Sequence, residues 1–274
     1  MKKILLPTDF SDNAWSAAVY ALKLYAEETC TFYFLHSLVT RLSPSNLTNK
    51  LLRIMTDNAM KELLELKEMA ETSNSNPCHS FDIILSPHDL QSAIKTAVKS
   101  YEMELVIMGK KGVTGADELF FGGNTVETIQ KMRLCPILTV PEDFDFVAPK
   151  QIAFPTDYNR FYDEKELRPI KDLARLNNAK IRILHINVEP HLNAVQEYNF
   201  TMLKQYLEDY EHSFHWMPNY AKKTEEIGEF IKDLKINILA MVNYKHSFIE
   251  YLLKEPVIKK IGKHPLIPFL VIPE

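Results

Sequence analysis

The sequence predicts two doubly wound α/β domains in tandem, and three observations carry that prediction. The first is an internal repeat kept in order: KKILLPTD (2–9) returns as KQIAFPTD (150–157), and FYFLHSLV (32–39) returns as IRILHINV (181–188). ELVIM (104–108) then returns as NILAM (237–241), and CPILTVPE (135–142) as IPFLVIPE (267–274). The offsets are 148, 149, 133 and 132, so the one large change in length falls mid-domain. The second observation is that these apolar runs do not alternate with polar residues. Such runs are buried on both faces, as in a parallel sheet covered by helices. The third is that the stretches between them switch to helical period, the strand–helix alternation of a doubly wound sheet.

Element by element, the first half opens with a strand at Ile4–Leu6. Ala14, Ala17, Ala18, Ala21, Leu22 and Tyr25 then recur at i, i+3, i+4, i+7, i+8 and i+11, one face of an amphipathic helix. Leu51 to Ala70 is a longer helix, and its methionines (Met55, Met60, Met69) are read as core. A strand at Phe81–Leu85 leads to a helix over Leu90–Tyr101, with Ser86 as N-cap, Pro87 at the first helical position and Asp89 three residues after the cap. After a strand at Leu105–Met108, Asn124 reads as the N-cap of a helix over Thr125–Met132, with Glu127 completing a capping box. A last strand, Ile137–Val140, closes the half.

The stretch 142–149, EDFDFVAP, is acidic, proline-flanked and non-periodic, which sets domains at 1–145 and 150–274. The second half repeats the pattern less cleanly, with a helical segment from Leu192 to Tyr210, a weak strand at His215–Met217 and a final strand at Phe269–Ile272. A final strand with an unpaired edge needs a cover. The two halves are therefore expected to form an internal pseudo-dimer through their last strands.

Composition narrows the class. Across 274 residues, 46% are hydrophobic and 25% charged, as in a globular protein. A net charge of −4 gives no basic face for nucleic acid. MKKILLPTDF has too short an apolar run for a signal peptide, and no later run approaches the ~20 residues of a membrane span. Cys30, Cys78 and Cys135 are odd in number and far apart, which suits reduced thiols in cytoplasm.

Seven glycines occur in the chain, and five of them (Gly109, Gly112, Gly115, Gly122, Gly123) lie within fifteen residues after the Leu105–Met108 strand. A glycine loop feeding a helix N-terminus turns backbone N–H groups and a dipole toward an anion, so phosphate is the expected ligand. Lys110 and Lys111 add charge to the loop. Ligands of open α/β sheets bind beyond the carboxyl ends of strands where the strand order reverses. There Pro7-Thr8-Asp9 would face the loop, with Asp9 accepting from an amino or ribose hydroxyl group. The same spacing also fits Asp9 as N-cap of a helix starting near Asn13, and both roles stay open.

Other motifs are missing. The loop is neither a P-loop nor a Rossmann fingerprint, and no nucleophile elbow occurs. His212 and His215 lack a third metal ligand and read as surface residues. His36 and His185 share one repeat position and read as structural.

The order Pro-Thr-Asp, Leu-His, G-x-x-G and Cys-Pro-Ile-Leu-Thr-Val-Pro resembles the universal stress proteins, over the whole chain as a tandem pair. That family's loop is G-x-x-G, nine residues, then G-[ST]. Here Gly109-Lys110-Lys111-Gly112 is followed by residues 113–121 and Gly122-Gly123-Asn124-Thr125. The resemblance implies five parallel strands per domain in the order 3-2-1-4-5. It also implies ATP or another adenine nucleotide as ligand, in a cytoplasmic stress-response protein. Asp9 and backbone near Ser37 would hold adenosine, while Gly109, Gly112, Gly122 and Thr125 would line the phosphates. One hydroxyl is missing, because Gly123 stands where the family has Ser or Thr. In the second half Asp157 remains, but Val242-Asn243-Tyr244-Lys245-His246 replaces the glycine loop, and Lys254-Glu255-Pro256 replaces the second glycine pair.

The leading expectation is thus a regulatory protein with one nucleotide site per chain and an unidentified protein partner. The rival is a nucleotide-independent scaffold with a relic loop. Hydrolysis of ATP is the weakest reading, since Asp9 would be alone in recruiting Mg²⁺ and no base is placed for water.

Overall fold

The structure, a computed structural model, describes residues 1–38, 49–110, 123–142, 144–187, 191–218, 223–244 and 267–274. The chain divides into two compact units, with Met1–Lys110 and Gly123–Asp143 in the first and Phe144–Glu274 in the second.

The first unit runs β1 (Lys2–Pro7), α1 (Asp12–Leu24), β2 (Cys30–Ser37), α2 (Asn49–Ser73), β3 (His79–Ser86), α3 (Leu90–Tyr101), β4 (Leu105–Lys110), α4 (Gly123–Lys131) and β5 (Ile137–Pro141). Its strands are parallel and ordered β3-β2-β1-β4-β5. The unalternating apolar runs are the central strands: Ile4, Leu5, Phe32, Leu35, Val106 and Leu138 are all fully buried. β3, at the edge, is only partly buried. Because strand-to-strand crossovers are right-handed, the steps β1 to β2 and β2 to β3 set α1 and α2 on one face. The reversed steps through β4 and β5 set α3 and α4 on the other, where these two helices touch.

The second unit runs β6 (Gln151–Pro155), α5 (Glu164–Asn177), β7 (Lys180–Asn187), α6 (Ala194–Tyr206), β8 (His212–Pro218), α7 (Lys223–Asp233), β9 (Ile238–Asn243) and β10 (Phe269–Pro273). Its parallel order, β8-β7-β6-β9-β10, is the same arrangement. The segment read as a weak strand is a seven-residue strand, β8. His212 and His215 are half-buried rather than on the surface, with His212 Nδ1 bonded to the Tyr210 carbonyl and His215 Nε2 to Ser213 Oγ.

Several expected termini move. The N-cap of α1 is Ser11, whose Oγ accepts the Ala14 N–H at 3.3 Å, so Asp9 is not the cap. The cap of α3 is Asp89, accepting the Ser92 N–H at 3.1 Å. Ser86 is held in β3 opposite Ser37, and its hydroxyl accepts the His88 N–H at 3.2 Å. α4 begins at Gly123, so Asn124 lies inside the first turn instead of capping it, and Glu127 pairs forward with Lys131 rather than back onto a cap. α2 faces the sheet through Ala59, Leu63 and Ala70. Its methionines are not core: Met60 and Met69 are exposed and Met55 half-buried. Small alanines let the helix approach closely, and the longer side chains splay to its flanks.

The three cysteines are free thiols. No helix among the described residues is long and apolar enough to cross a membrane.

Candidate functional site

β1 pairs with β2 on one side and β4 on the other, so the strand order reverses at β1/β4. The register Ile4↔Leu105, counted on in step, sets Thr8 level with Gly109. The Pro-Thr-Asp segment and the first glycine of the cluster therefore leave adjacent strand ends together.

The turn after β1 is tightly wired. Thr8 N–H donates to the Leu35 carbonyl (2.8 Å), and Thr8 Oγ1 accepts the Phe10 N–H (3.0 Å). Asp9 Oδ1 accepts both the N–H (3.2 Å) and the hydroxyl (2.5 Å) of Ser11. His36 Nδ1 bonds the Thr8 carbonyl at 2.9 Å. A carbonyl cannot donate, so Nδ1 carries the proton. The His36 ring also lies 4.4 Å from that of Phe10, whose φ is 64°.

The second unit repeats this turn nearly atom for atom. Thr156 N–H donates to Leu184 (2.9 Å), Tyr158 N–H to Thr156 Oγ1 (3.0 Å), and Asn159 N–H to Asp157 Oδ1 (3.0 Å). His185 Nδ1 bonds the Thr156 carbonyl at 2.9 Å, and its ring stacks on Tyr158 (φ 56°) at 4.6 Å. Both histidines are thus structural clamps, as their shared repeat position implies. Ser11 and the clamp itself were not picked out from the sequence, although the duplicated Thr-Asp-aromatic and Leu-His pairs are visible there.

The two units part company beyond the turn. A Cβ on Gly109 would lie 2.7 Å from the Asn13 carbonyl oxygen and 2.8 Å from its Nδ2. Gly109 therefore has to be glycine so that the start of α1 can press onto β4. In the second unit five residues separate Tyr158 from α5, against one between Phe10 and α1. The later start of α5 relieves that contact, and Val242 occupies the position of Gly109.

On the other face, Thr125 is buried, and its Oγ1 reaches toward the Gly109 carbonyl at 3.5 Å. Gln91, unremarked in the sequence, ties α3 to the first two turns of α4: its Nε2 donates to Thr128 Oγ1 (2.8 Å) and to the Asn124 carbonyl (3.3 Å). Lys110 is not a loop residue but the buried last residue of β4, and burial pushes its ammonium down to about 8. Ser37 ends β2, its hydroxyl donating to the His88 carbonyl at 2.7 Å. Pro7, Thr8, Asp9, Ser37 and Gly109 thus stand on neighbouring strand ends, and Gly123, Asn124 and Thr125 open α4. Gly112, Gly115, Gly122 and Lys111 lie outside the described residues, as do Lys245, His246 and Lys254-Glu255-Pro256.

In the second unit the equivalent space holds side chains. Arg160 Nη2 donates to Glu166 Oε1 at 2.6 Å, and the guanidinium lies 4.8 Å from the Tyr244 ring and 5.2 Å from the Tyr162 ring. Burial, and then the nearby Asp157 carboxylate, raise the Tyr244 hydroxyl above its ordinary range. Gln196 and Asn199 of α6 close over the turn, donating to the carbonyls of Asp157 and Tyr158 at 2.8 Å each. Arg160 and Tyr162 come from the extra residues of the longer turn. No group of acidic, histidine or cysteine side chains that could hold a metal occurs among the described residues.

The model of the universal stress protein family matches residues 1–141. A universal stress protein from Archaeoglobus fulgidus is similar over 99% of this chain and 98% of its own, at TM-score 0.69 and 15% identity. A protein from Pseudomonas aeruginosa is similar over 100% and 93%, at TM-score 0.59 and 12% identity. The cytoplasmic domain of a prokaryotic cation chloride cotransporter is similar over 99% and 95%, at TM-score 0.52 and 9% identity. At these identities the likeness is one of fold. No curated protein sequence matches the chain.

Proposed function

The chain belongs to the universal stress protein family, and from that premise we propose that its first half binds an adenine nucleotide, ATP foremost, as a regulatory ligand in a stress response. The observation that carries this reading is the meeting of the Thr8–Asp9 turn with Gly109 at the reversal of strand order, beside the start of α4. Asp9 Oδ1 is engaged by Ser11, so Oδ2 is the acceptor for an adenosine amino or ribose hydroxyl group. Backbone near Ser37 completes the adenosine end. By the family's loop pattern Gly112, Gly122 and Gly123 would bring backbone N–H groups to the phosphates, and the N-terminal dipole of α4 favours negative charge.

The Thr125 hydroxyl is turned inward, so it does not replace the hydroxyl absent at Gly123. The phosphate cradle is then a backbone cradle, which explains a demand for glycine without a demand for side-chain donors. One observation favours a nucleotide-independent scaffold instead: packing against Asn13 accounts for Gly109 with no ligand at all.

Small molecules released from protein purified without added ligand, identified by mass spectrometry, separate the two readings. The nucleotide reading expects an adenine nucleotide in wild type and none in Gly112→Val. A scaffold releases none from either.

A further inference from the structure

We propose that β8 is an association surface, through which the chain pairs with a second copy of itself, antiparallel and about a two-fold axis. β8 ends the sheet of the second unit, with β7 on its inner side. The Ile181 N–H donates to the Glu211 carbonyl at 2.9 Å, which fixes the phase of the ladder. Backbone groups of a parallel pair alternate between the two sides of each strand. Ser213, His215 and Met217 therefore turn their N–H and C=O groups to β7, while His212, Phe214 and Trp216 turn theirs outward. Among the described residues these outward groups meet no backbone partner.

The edge strand of the first unit, β3, is guarded. There the Cys30 N–H donates to the Cys78 carbonyl at 2.9 Å, so His79, Phe81, Ile83 and Leu85 face outward. The His79 N–H is taken by the Asn76 carbonyl at 3.1 Å, and the exposed Asp82 lays its carboxylate on the Ile83 N–H at 2.8 Å. A charge set over an edge N–H is one way in which sheets refuse a further strand. β8 has no such guard. Its sequence, HSFHWMP, contains no Asp, Glu, Lys or Arg, and Trp216 stands 51% exposed.

A two-fold axis at Phe214 makes this edge its own complement. Phe214 of each copy exchanges both backbone bonds with the other, and His212 does so with the partner's Trp216. His212, Phe214 and Trp216 share the face that packs on α6. The Phe214 ring lies 4.8 Å from Phe200 and 5.4 Å from His212, and Trp216 lies 6.0 Å from Phe200. Pairing extends that aromatic row across the axis, with the exposed Trp216 beside the partner's His212. No like charges meet, because Glu211 falls opposite the partner's Met217. An acidic or basic strand would find no counter-charge within β8, so a second copy is the better match. Pairing of β8 with β3 of another copy would run on without closing, and Asp82 stands against it. A seven-residue strand gives less than the ~1,200 Å² of a stable interface, so the dimer is a reversible one. β8 lies in the second half, and this association does not rest on the nucleotide reading.

Sedimentation of the full-length chain from about 1 to about 500 µM tests the pairing. Wild type should pass from monomer to dimer, with no larger species. Trp216→Lys, which sets a charge on the edge, should weaken association at least about ten-fold. His212→Pro should do the same by removing an outward N–H. It takes no bond from the β7 ladder, so it carries the test even where Trp216→Lys fails to fold. Asp82→Lys keeps the β3 edge charged and should leave the equilibrium unchanged. Cooperative melting checks the fold of each variant. A monomer throughout the range overturns the proposal, as does a wild type that grows past the dimer. A dimer that survives both β8 variants, or that Asp82→Lys weakens equally, overturns it too.

Discussion

Asp9 Oδ1 closes its turn onto Ser11, and Asp157 Oδ1 closes the matching turn onto Asn159. The two carboxylates share a structural task, and only Asp9 is assigned a ligand. Asp9→Ala and Asp157→Ala should therefore each lower stability, by about 1–2 kcal/mol for the lost turn bonds. Only Asp9→Ala should also weaken adenine-nucleotide binding, by roughly 1.5–3 kcal/mol in calorimetry. Equal loss of affinity in both variants would trace the effect to general loosening. Lys110 makes a second prediction at this scale. Its ammonium falls from 10.5 to about 8 through burial, so the folded chain holds that proton less firmly than the unfolded chain. Stability of the ligand-free protein should then rise as pH climbs from about 8 to about 10.5. Lys110→Met should remove that rise and be the more stable by up to about 3 kcal/mol at pH 7. Urea unfolding of both proteins at neutral and alkaline pH checks this, and parallel pH profiles would contradict it.

Elements succeed or fail on how their ends are held. Gly109→Ala would drive a Cβ into the Asn13 carbonyl at 2.7 Å, forcing α1 off β4 at a cost of about 1–3 kcal/mol. That loss should appear in thermal unfolding whether or not nucleotide is present. Asp89→Ala should cost about 1 kcal/mol by uncapping α3. Hydrogen bonds from Ser92 hold the Asp89 carboxyl below the usual carboxylate range. Its contribution is present above the unfolded carboxyl's pKa and is lost as pH falls through the folded one, so the melting curves of wild type and variant should converge in acid. These termini also mark how far the sequence can be read. The strands were legible because burial on both faces leaves continuous apolar runs, and the helices because α1 and α3 keep a clean helical period. Their caps were not, since Ser86-Pro87-His88-Asp89 offers two candidates and the register of Ser86 opposite Ser37 decides between them. Asn124 misled in the same way, being a good cap residue placed one position inside a helix that starts at Gly123. The methionines of α2 were assigned to the core from composition, when helix phase puts Ala59, Leu63 and Ala70 there.

At the scale of the whole molecule the repeat sets up a comparison inside one chain. Both units keep five parallel strands in one order and the same histidine-clamped turn. The first keeps glycine at the end of β4, while the second puts Val242 there and packs Arg160, Tyr162 and Tyr244 together beyond the strand ends. A backbone cradle needs N–H groups within about 3 Å of phosphate oxygens, and those side chains stand in the way. Calorimetric titration of the full-length chain with ATP should therefore saturate at one equivalent. Gly112→Val should abolish the binding, and the corresponding change, Lys245→Val, should leave it untouched. Two equivalents per chain would contradict the assignment of ligand to the first half alone, as would a single equivalent that survives Gly112→Val and is lost in Lys245→Val.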